Sequence, residues 1–280
     1  MSSTTWNRLG SFVWLALLCA CTGRDAAPDA TDRPWTATLD LRCKDAYPRS
    51  FTNFKGDRYE IPAAPQRIAS GTLFTDVVLS AICDGERIAA LHRVSKNPLF
   101  SPIAEYSSKF ARHLGTDPET ILAVRPDLVF LASFSDKRLD RLLSNDHRQV
   151  VRLHNLNSVE GVRESIRAVG YIVGLDQPAE DLVTQMDARL NAVAESRASR
   201  KNWSVLSWAD GFVSGRGTIL DDVLGYVGAR NLASEFGIEG VRRIQPERLL
   251  ASQPDALIIG TIQGKEAEAR QRVLRLAVMA

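Results

Sequence analysis

The residues that most often carry catalysis or hold a metal are few in this chain, and their spacing suits neither task. The four histidines are His92, His113, His147 and His154. They follow no ligand pattern such as HExxH, no cluster of carboxylates accompanies them, and neither a GxSxG nor a CxxC motif is present. The sequence therefore predicts no enzyme, no catalytic residue, no cofactor and no metal site. His92 alone is kept open as a ligand of iron or of another metal ion, because it follows a predicted strand.

A pair of glycines needs a separate interpretation. In the segment SGRGTIL, Gly215 and Gly217 lack the third glycine of a dinucleotide-binding fingerprint, and they follow a predicted loop. Glycine permits the backbone conformations that tight turns require. We therefore predict that these two residues shape a turn into a helix that is capped at Thr218.

The composition indicates a globular protein without a marked charge. The 280 residues are 45% hydrophobic, which is enough for a sizeable core and for two modest domains. The 35 Lys and Arg nearly balance the 33 Asp and Glu, and the formal net charge is +2. Nucleic acid is therefore not expected as a partner. After the amino-terminal segment, no apolar stretch approaches the roughly 20 residues that span a bilayer.

The amino terminus has the features of an export signal followed by a lipid-attachment site. Arg8 precedes a short apolar run, and the tetrapeptide LCAC then ends at Cys21. The tetrapeptide resembles the bacterial lipobox, in which a small residue precedes a cysteine that is diacylated and becomes the first residue of the mature protein. Cys21 fits that role, whereas Cys19 fits it worse because the bulky Leu18 precedes it. The alternative is a buried or signal-anchor segment, for which the run is too short.

We therefore predict a signal peptide at 1–20 and a membrane-anchored envelope lipoprotein that begins at Cys21. Residues 21–57 are predicted to form a tether and an amino-terminal extension, because their first part is rich in Ala, Asp, Thr and Pro. Export also places the chain where disulfides persist. Cys43 and Cys83, the two cysteines that remain after processing, are therefore candidates for a disulfide.

From Ile61 onward, strand-like and helical segments alternate. RIAS, RIAALH, DLVFLA and VVRLH have the character of strands, and the helical segment TLFTDVVLSAI follows the first of them. Helices are predicted from Ser158 through Tyr171 and from Pro178 to about Glu195. After Lys201 the alternation resumes with WSVLSW, ILDDVLGYVG and ALIIG. This order is typical of parallel sheets that are covered by helices.

An internal repeat links the two halves of the chain. PETILAVRPDLVF begins at Pro118, and PERLLASQPDALI begins at Pro246 with Pro, Glu, Leu, Ala, Pro and Asp in register. In each copy Pro opens a short helix, Glu follows in its first turn, and the second Pro and Asp end the helix before an apolar strand. A capped helix before a strand is common, but six matched positions favour two lobes of one ancestry.

These stretches together resemble the periplasmic binding proteins that serve ABC importers of iron siderophores, haem and vitamin B12. The resemblance runs from about Ile61 to the C-terminus and includes PQRIASGTLFTDVVLSA, DPETILAVRPDLVFLAS, SGRGTILDDVLGYVGARN and IQPERLLASQPDALIIG. It implies an α/β fold of two Rossmann-like lobes with parallel sheets, joined by one long helix, with the ligand in the cleft between the lobes. The implied domains are an N-terminal lobe at 58–157, a helical connector at 158–200 and a C-terminal lobe at 201–280.

The loops after the strands are predicted to contact the ligand, because ligands of open α/β sheets bind outside the carboxyl ends of the strands. The candidates are Thr72, Phe74, His92, Arg93, Ser133 and Phe134 in the first lobe, and Trp208, Asp210, Phe212 and Arg216 in the second. Aromatic rings offer a flat surface to a macrocycle or chelate, and arginines bind carboxylate or catecholate oxygens. Each candidate has the alternative interpretation of loop filler or core edge.

The resemblance also implies partners. It describes a monomer that delivers a ferric siderophore, haem or a corrinoid to an ABC permease dimer with its ATPase subunits. Glu119 and Glu247 match the glutamates of the related B12-binding protein that face permease arginines, so both are predicted to dock on the permease. The alternative is that each Glu only stabilises its own helix N-terminus. For the whole protein, the alternatives are a metal-ion-binding envelope lipoprotein and, less favoured, an envelope hydrolase.

The end of the chain departs from the family pattern. After ALIIG the sequence offers one helix, KEAEARQRVLRLAV, whereas the family normally adds a further strand and a closing helix. We therefore expect a second lobe that is truncated, or one whose rim is built differently.

Overall fold

The computed structural model describes residues 47–53, 55–115, 117–144, 148–153, 155–199, 201–245, 248, 252–261 and 265–279. The predicted signal peptide, the lipidation site Cys21, the tether, Cys43 and Glu247 lie outside the described residues. The described chain forms two compact units. The first unit contains residues 47–155 and 161–185, and the second contains 156–160 and 186–279. The domain boundaries predicted from the sequence stay predictions.

The first unit is built on a five-stranded parallel sheet with the order β5-β4-β3-β6-β7. Its strands, with the hairpin β1–β2 that precedes them, are β1 (Arg49–Thr52), β2 (Arg58–Ile61), β3 (Ile68–Ser70), β4 (Ile88–His92), β5 (His113–Leu114), β6 (Leu128–Ala132) and β7 (Gln149–Leu153). The apolar strands predicted from the sequence are confirmed as β3, β4, β6 and β7. All five residues of β6 are buried, as expected for a central strand with helices on both faces.

Helices lie between the strands of the first unit and follow its last strand. They are α1 (Leu73–Ile82), α2 (Ala104–Ser107), α3 (Pro118–Ala123), α4 (Arg138–Leu143), α5 (Val159–Val173) and α6 (Asp176–Glu195). Short 3₁₀ turns lie at Gly85–Arg87 and Arg93–Lys96. The predicted helices from Ser158 and from Pro178 are confirmed as α5 and α6. The first half of α6 belongs to the first unit and its second half to the second unit. None of the helices in the described part of the chain is long and apolar enough to cross a membrane.

The antiparallel hairpin β1–β2 covers the edge strand β7, and the sequence analysis missed it. Asn53 Nδ2 donates to the Arg152 carbonyl at 3.3 Å, and the Arg152 N–H donates to the Tyr59 hydroxyl at 3.4 Å. Asn53 Oδ1 also accepts from the N–H groups of Lys55 and Asp57, both at 2.9 Å, which shapes the turn of the hairpin. The last four residues of β7 are consequently buried although it is the last strand of its sheet.

Side chains from distant segments donate hydrogen bonds to the main-chain carbonyls at the carboxyl end of α5. Arg49 donates to the Tyr171 carbonyl at 2.7 Å, and the Tyr47 hydroxyl donates to the Ile172 carbonyl at 3.1 Å. Arg87 reaches the Val173 carbonyl at 2.7 Å. The Tyr171 carbonyl also accepts from the Gly174 N–H at 3.3 Å, whereas no main-chain donor within the described residues reaches the Ile172 and Val173 carbonyls, so Tyr47 and Arg87 satisfy two helix-end groups that would otherwise need water. The junction between α5 and α6 is therefore fixed to residues far away in sequence.

The second unit contains a three-stranded parallel sheet with the order β10-β8-β12 and an antiparallel pair β9–β11. Its strands are β8 (Ser204–Trp208), β9 (Phe212–Ser214), β10 (Arg230–Asn231), β11 (Val241–Arg243) and β12 (Ala256–Ile259). Its helices are α7 (Ile219–Tyr226), α8 (Leu232–Glu235) and α9 (Glu266–Met279). Thr218 caps α7 by accepting from the Asp221 N–H, and Gly217 has a φ of +74°, so the predicted glycine turn is confirmed.

The Asp of the internal repeat has the same structural role in both units. Asp127 accepts hydrogen bonds from the N–H groups of Gln66 at 2.7 Å and Arg67 at 3.0 Å, just before β3 begins. Asp255 accepts from the N–H of Ser204 at 2.9 Å, at the first residue of β8. In each copy the carboxylate thus fixes the start of the neighbouring strand. The segment predicted as the helix of the second copy lies largely outside the described residues.

Candidate functional site

The loops after β3, β4 and β6 meet at one edge of the first sheet, because these strands are parallel neighbours. Thr72 caps α1 by accepting from the Thr75 N–H at 3.0 Å, and Phe74 follows in the first turn, half-buried. Gly71 donates to the Phe130 carbonyl at 2.8 Å, and a Cβ at this position would lie 2.6 Å from the same oxygen. Only glycine therefore allows this loop to approach β6 so closely.

His92 ends β4 at the same edge, and its ring is half-buried. Its Nδ1 accepts the N–H of Val94 at 3.3 Å, so the neutral ring carries its proton on Nε2. Burial lowers the pKa of His92, and the neighbouring charge of Arg93 lowers it further. The ring is thus neutral and donates a hydrogen bond from Nε2. A histidine that ligates iron through Nε2 would instead carry its proton on Nδ1 and donate from there, but Nδ1 of His92 accepts a hydrogen bond. Arg93 beside it is exposed.

Asp76 lies behind this loop and was missed by the sequence analysis. Its side chain is 0% exposed, and its Oδ2 accepts hydrogen bonds from the His92 N–H at 2.9 Å and from the Ser95 hydroxyl. Burial raises the pKa of Asp76 to about 7, although the hydroxyls of Ser70 and Ser95 and the His92 main-chain N–H, which lie beside the carboxyl, oppose the rise. An acidic residue in the first turn of a helix is common, because its charge is favourable at that end of the helix. The sequence therefore did not indicate that Asp76 would be buried.

The turn after β6 presents Ser133 and Phe134, both exposed. The Phe134 side chain is 60% exposed and offers an accessible aromatic face at this edge. Arg152, buried in β7, holds this turn. Its guanidinium donates to the carbonyls of Ala132 at 2.7 Å, Ser135 at 2.8 Å and Asp136 at 2.9 Å. Sequence analysis missed Arg152 because one arginine within an apolar strand looks like a residue on a solvated face.

The second unit places its predicted ligand residues in different environments. Trp208 is 7% exposed and packs in the core with Leu206 and Val213, which favours its alternative interpretation as a core residue. Asp210 forms an exposed ion pair with Arg272 at 2.6 Å. Phe212 is 46% exposed on β9. Arg216 is exposed in the turn before α7, where its main chain pairs with residues Ile238 and Gly240. Asp210, Phe212 and Arg216 therefore remain the accessible candidates of this unit, with Asp210 already paired to Arg272.

The other predicted residues lie elsewhere. Glu119 is exposed in the first turn of α3, as docking on a partner would require. Cys83 is buried after α1 at the wall of a groove of about 980 Å³, which lies at the amino ends of the strands. Arg67 also lines this groove, but its guanidinium is already bound to the carbonyls of Val124 and Arg125. Within the described residues no group of His, Cys, Asp and Glu could hold a metal ion.

Solved structures of binding proteins match most of this chain. A protein of an ABC-type Fe³⁺-hydroxamate transport system from Saccharomonospora viridis is 20% identical, with a TM-score of 0.65, and the match covers 83% of this chain and 86% of that chain. A periplasmic haem-binding protein from Pseudomonas aeruginosa is 25% identical, with a TM-score of 0.60 and coverage of 75% and 77%. A molybdate-binding periplasmic protein from Haemophilus influenzae is 17% identical, with a TM-score of 0.63 and coverage of 75% and 73%.

These structures share the α/β fold with parallel sheets, so the fold class predicted from the sequence is confirmed. No curated protein matches the chain in sequence. A family profile described as periplasmic binding protein matches residues 68–277. Because that match covers most of the chain and includes both units, the chain belongs to the periplasmic binding protein family.

Proposed function

We propose that this protein is the substrate-binding lipoprotein of an ABC importer and that haem, or a macrocycle with similar carboxylate groups, is its ligand. The observation that carries the proposal is the edge of the first sheet, where an exposed Phe134, a half-buried Phe74, a neutral His92 and an exposed Arg93 follow neighbouring strands. Aromatic rings stack on a flat macrocycle, and the Arg93 guanidinium and the His92 Nε2–H donate to carboxylates. The haem-binding relative from Pseudomonas aeruginosa supports this choice among the ligands.

Thr72 and Ser133 at the first sheet, and Asp210, Phe212 and Arg216 in the second unit, complete the proposed contacts. Trp208 contributes through the core of its unit rather than by touching ligand. A ferric siderophore or a corrinoid would use the same loops, but each presents fewer flat aromatic faces or fewer carboxylates. The protein would act as a monomer in the periplasm or at the outer face of the membrane.

The test is a binding titration of the mature protein, which begins at Cys21, with three probes: haemin, a ferric trihydroxamate and cyanocobalamin. We expect haemin to bind with a change in its visible absorbance, and Arg93→Ala to weaken binding about tenfold through the loss of a charged hydrogen bond. Arg138→Ala, at an exposed arginine of the first unit that is paired with Asp136, is the matched control and should bind as the wild type does. Absence of binding to all three probes would remove the proposal.

We further propose that Cys21 carries a lipid anchor. The lipobox resemblance and the tether-like composition of the residues after it support this assignment. Cys21→Ser should release the protein from membranes and abolish labelling with a fatty acid, whereas Cys19→Ser should leave both unchanged. Continued labelling of the Cys21→Ser protein would contradict the assignment.

Docking on the permease is proposed for Glu119 and Glu247. The exposure of Glu119 in the first turn of α3 supports its half of the proposal. The double variant Glu119→Ala with Glu247→Ala should keep haemin affinity and stability but lose ligand uptake and stimulation of the importer's ATPase. Normal uptake by the double variant would contradict the docking role. The two glutamates would then only stabilise their helix ends, by about 0.3 to 1 kcal/mol each.

A disulfide between Cys43 and Cys83 is also proposed. Cys83 has no disulfide partner among the described residues. Burial raises the pKa of the Cys83 thiol. Arg87, four residues after Cys83, donates to the Val173 carbonyl, and Tyr47 donates to the neighbouring Ile172 carbonyl, so the segments of both residues meet at the carboxyl end of α5. Cys43 is four residues before Tyr47, a span of up to about 14 Å. Mass spectrometry of unreduced peptides should find the pair, and two free thiols in freshly isolated protein would contradict it.

A further inference from the structure

Asp76 joins the first turn of α1 to the turn that carries His92 and Arg93. One carboxyl oxygen, Oδ2, accepts from the His92 N–H at 2.9 Å and from the Ser95 hydroxyl. The other oxygen, Oδ1, is buried and has no hydrogen-bond partner among the described residues. An aspartate that served only the start of its own helix would keep its carboxylate in water. Its burial against the next turn therefore needs another explanation.

The second unit contains a related arrangement, in which the aspartate lies three rather than four residues after the capping threonine and its second donor is a side-chain amide rather than a main-chain N–H. Asp221, in the first turn of α7, accepts from the Ser234 hydroxyl at 2.5 Å and from Asn231 Nδ2 at 2.9 Å. In both units the helix is capped by a threonine. In both, the serine stands three residues after the last residue of the neighbouring strand, Ser95 after His92 and Ser234 after Asn231. The recurrence of one contact in two units indicates a shared structural task at the carboxyl edge of each sheet.

We propose that Asp76 is a positioning residue that fixes the turn His92–Lys96, and with it the ligand-facing His92 and Arg93, through hydrogen bonds from the His92 main chain and from Ser95. The proposal rests on the proposed function in one respect, namely that this turn contacts the ligand. Two features favour it over plain support of the core. The bonds of Asp76 go to the turn rather than to its own helix, and their partners include the main chain of a candidate ligand-binding residue.

The surroundings of Asp76 make the contact sensitive to pH. The groups that face its carboxyl are uncharged: the hydroxyls of Ser70 on β3 and Ser95 on the turn, and the His92 N–H. The ionisable residues of the turn are His92, Arg93 and Lys96, and none of them forms an ion pair with Asp76 in the described structure. Because the folded protein raises the pKa of Asp76, this group stabilises the fold at acid pH and loses that contribution as the pH rises through about 7.

The first experiment needs no ligand. Amide hydrogen exchange of the peptide that spans residues 91–96 should be about tenfold faster in Asp76→Ala than in the wild type, because an N–H and a hydroxyl lose their acceptor. Ser95→Ala should accelerate exchange in the same peptide by a smaller factor. Val78→Ala is the control, since it removes buried volume from α1 without removing a hydrogen bond to the turn. Equal acceleration in Asp76→Ala and Val78→Ala would overturn the proposal.

The second experiment measures haemin affinity between about pH 5 and about pH 9. We expect Asp76→Ala to weaken binding about tenfold at equal folded fraction, and Val78→Ala to leave it unchanged. In the wild type we expect haemin affinity to change near neutral pH, where Asp76 ionises. Asp76→Asn, which matches the uncharged acid in shape, should bind within about threefold of the wild type and should not show this change in affinity with pH. A retained change in Asp76→Asn would overturn the proposal. Failure of the wild type to bind any probe would remove the proposed function, while the exchange experiment would still decide the role of Asp76.

Discussion

The two parallel sheets of this protein contain the same repeated segment in different surroundings. In the first unit, β6 pairs with β3 on one side and β7 on the other, and all five of its residues are buried. In the second unit, β12 pairs with β8, and all four of its residues are half-buried. The apolar sequences LVFLA and ALIIG are similar, but the first is buried and the second is only half-buried. The comparison teaches that neighbouring strands and covering helices, more than the strand's own sequence, decide how much a strand contributes to stability.

The largest expected effect on the free energy of unfolding comes from truncating equivalent side chains on these two strands to alanine. Leu131→Ala on β6 should lower the free energy of unfolding by about 3 kcal/mol, because it removes a buried side chain from a closed core. Ile259→Ala on β12 should cost roughly 1 to 2 kcal/mol, since its site is already open to solvent. Denaturant unfolding, with hydrogen exchange to follow each unit, measures both. Equal losses would break the comparison.

The next effect concerns the buried arginine that supports the edge of the first sheet. Arg152→Met should lower the free energy of unfolding by about 2 kcal/mol, because three main-chain carbonyls and Asp140 lose their donor. Arg138→Met, at an exposed arginine paired with Asp136, is the matched control and should show no measurable change. If both variants have the same free energy of unfolding, the hydrogen bonds of Arg152 do not stabilise this edge.

A smaller effect is expected from the hairpin that covers β7. Asn53→Ala should cost about 1 kcal/mol, because Asn53 shapes the hairpin turn and binds the Arg152 carbonyl. The loss should appear as faster amide exchange in β7, since its outer edge becomes accessible to water. Unchanged exchange in β7 would mean that the hairpin is not what protects this strand.

The smallest effect concerns Asp255, the aspartate of the second copy of the repeat, and depends on pH. Hydrogen bonding from Lys201 and Ser204 lowers the pKa of Asp255, so its contribution to stability is present above about pH 4 and is lost as the pH falls further. Asp255→Asn should therefore lower the melting temperature at neutral pH, and the difference from the wild type should shrink in acid. A constant difference across this range would show that the charge of Asp255 is not what matters.

The sequence predicted those parts of the fold that depend on local pattern. The strands β3, β4, β6 and β7 were found because apolar runs of their length have few alternatives, and the Thr218 cap followed from the glycine turn before it. The hairpin β1–β2 was missed because RSFT and RYEI are polar and its turn lacks a typical dipeptide. Within the site, residues of the exposed loops could be named from the strand ends. Asp76 and Arg152 could not, because their roles arise from burial by segments that are distant in sequence.

The carboxyl end of α5 has a practical consequence for work on shortened chains. Tyr47 and Arg49 lie before the first strand of the parallel sheet, yet they bind the carbonyls of Ile172 and Tyr171. A recombinant fragment that starts at β3 would keep every strand of that sheet, yet the Ile172 carbonyl would lose the Tyr47 hydroxyl and the Tyr171 carbonyl would keep only the Gly174 N–H. Fragments intended for crystallisation or binding assays should therefore begin upstream of Tyr47.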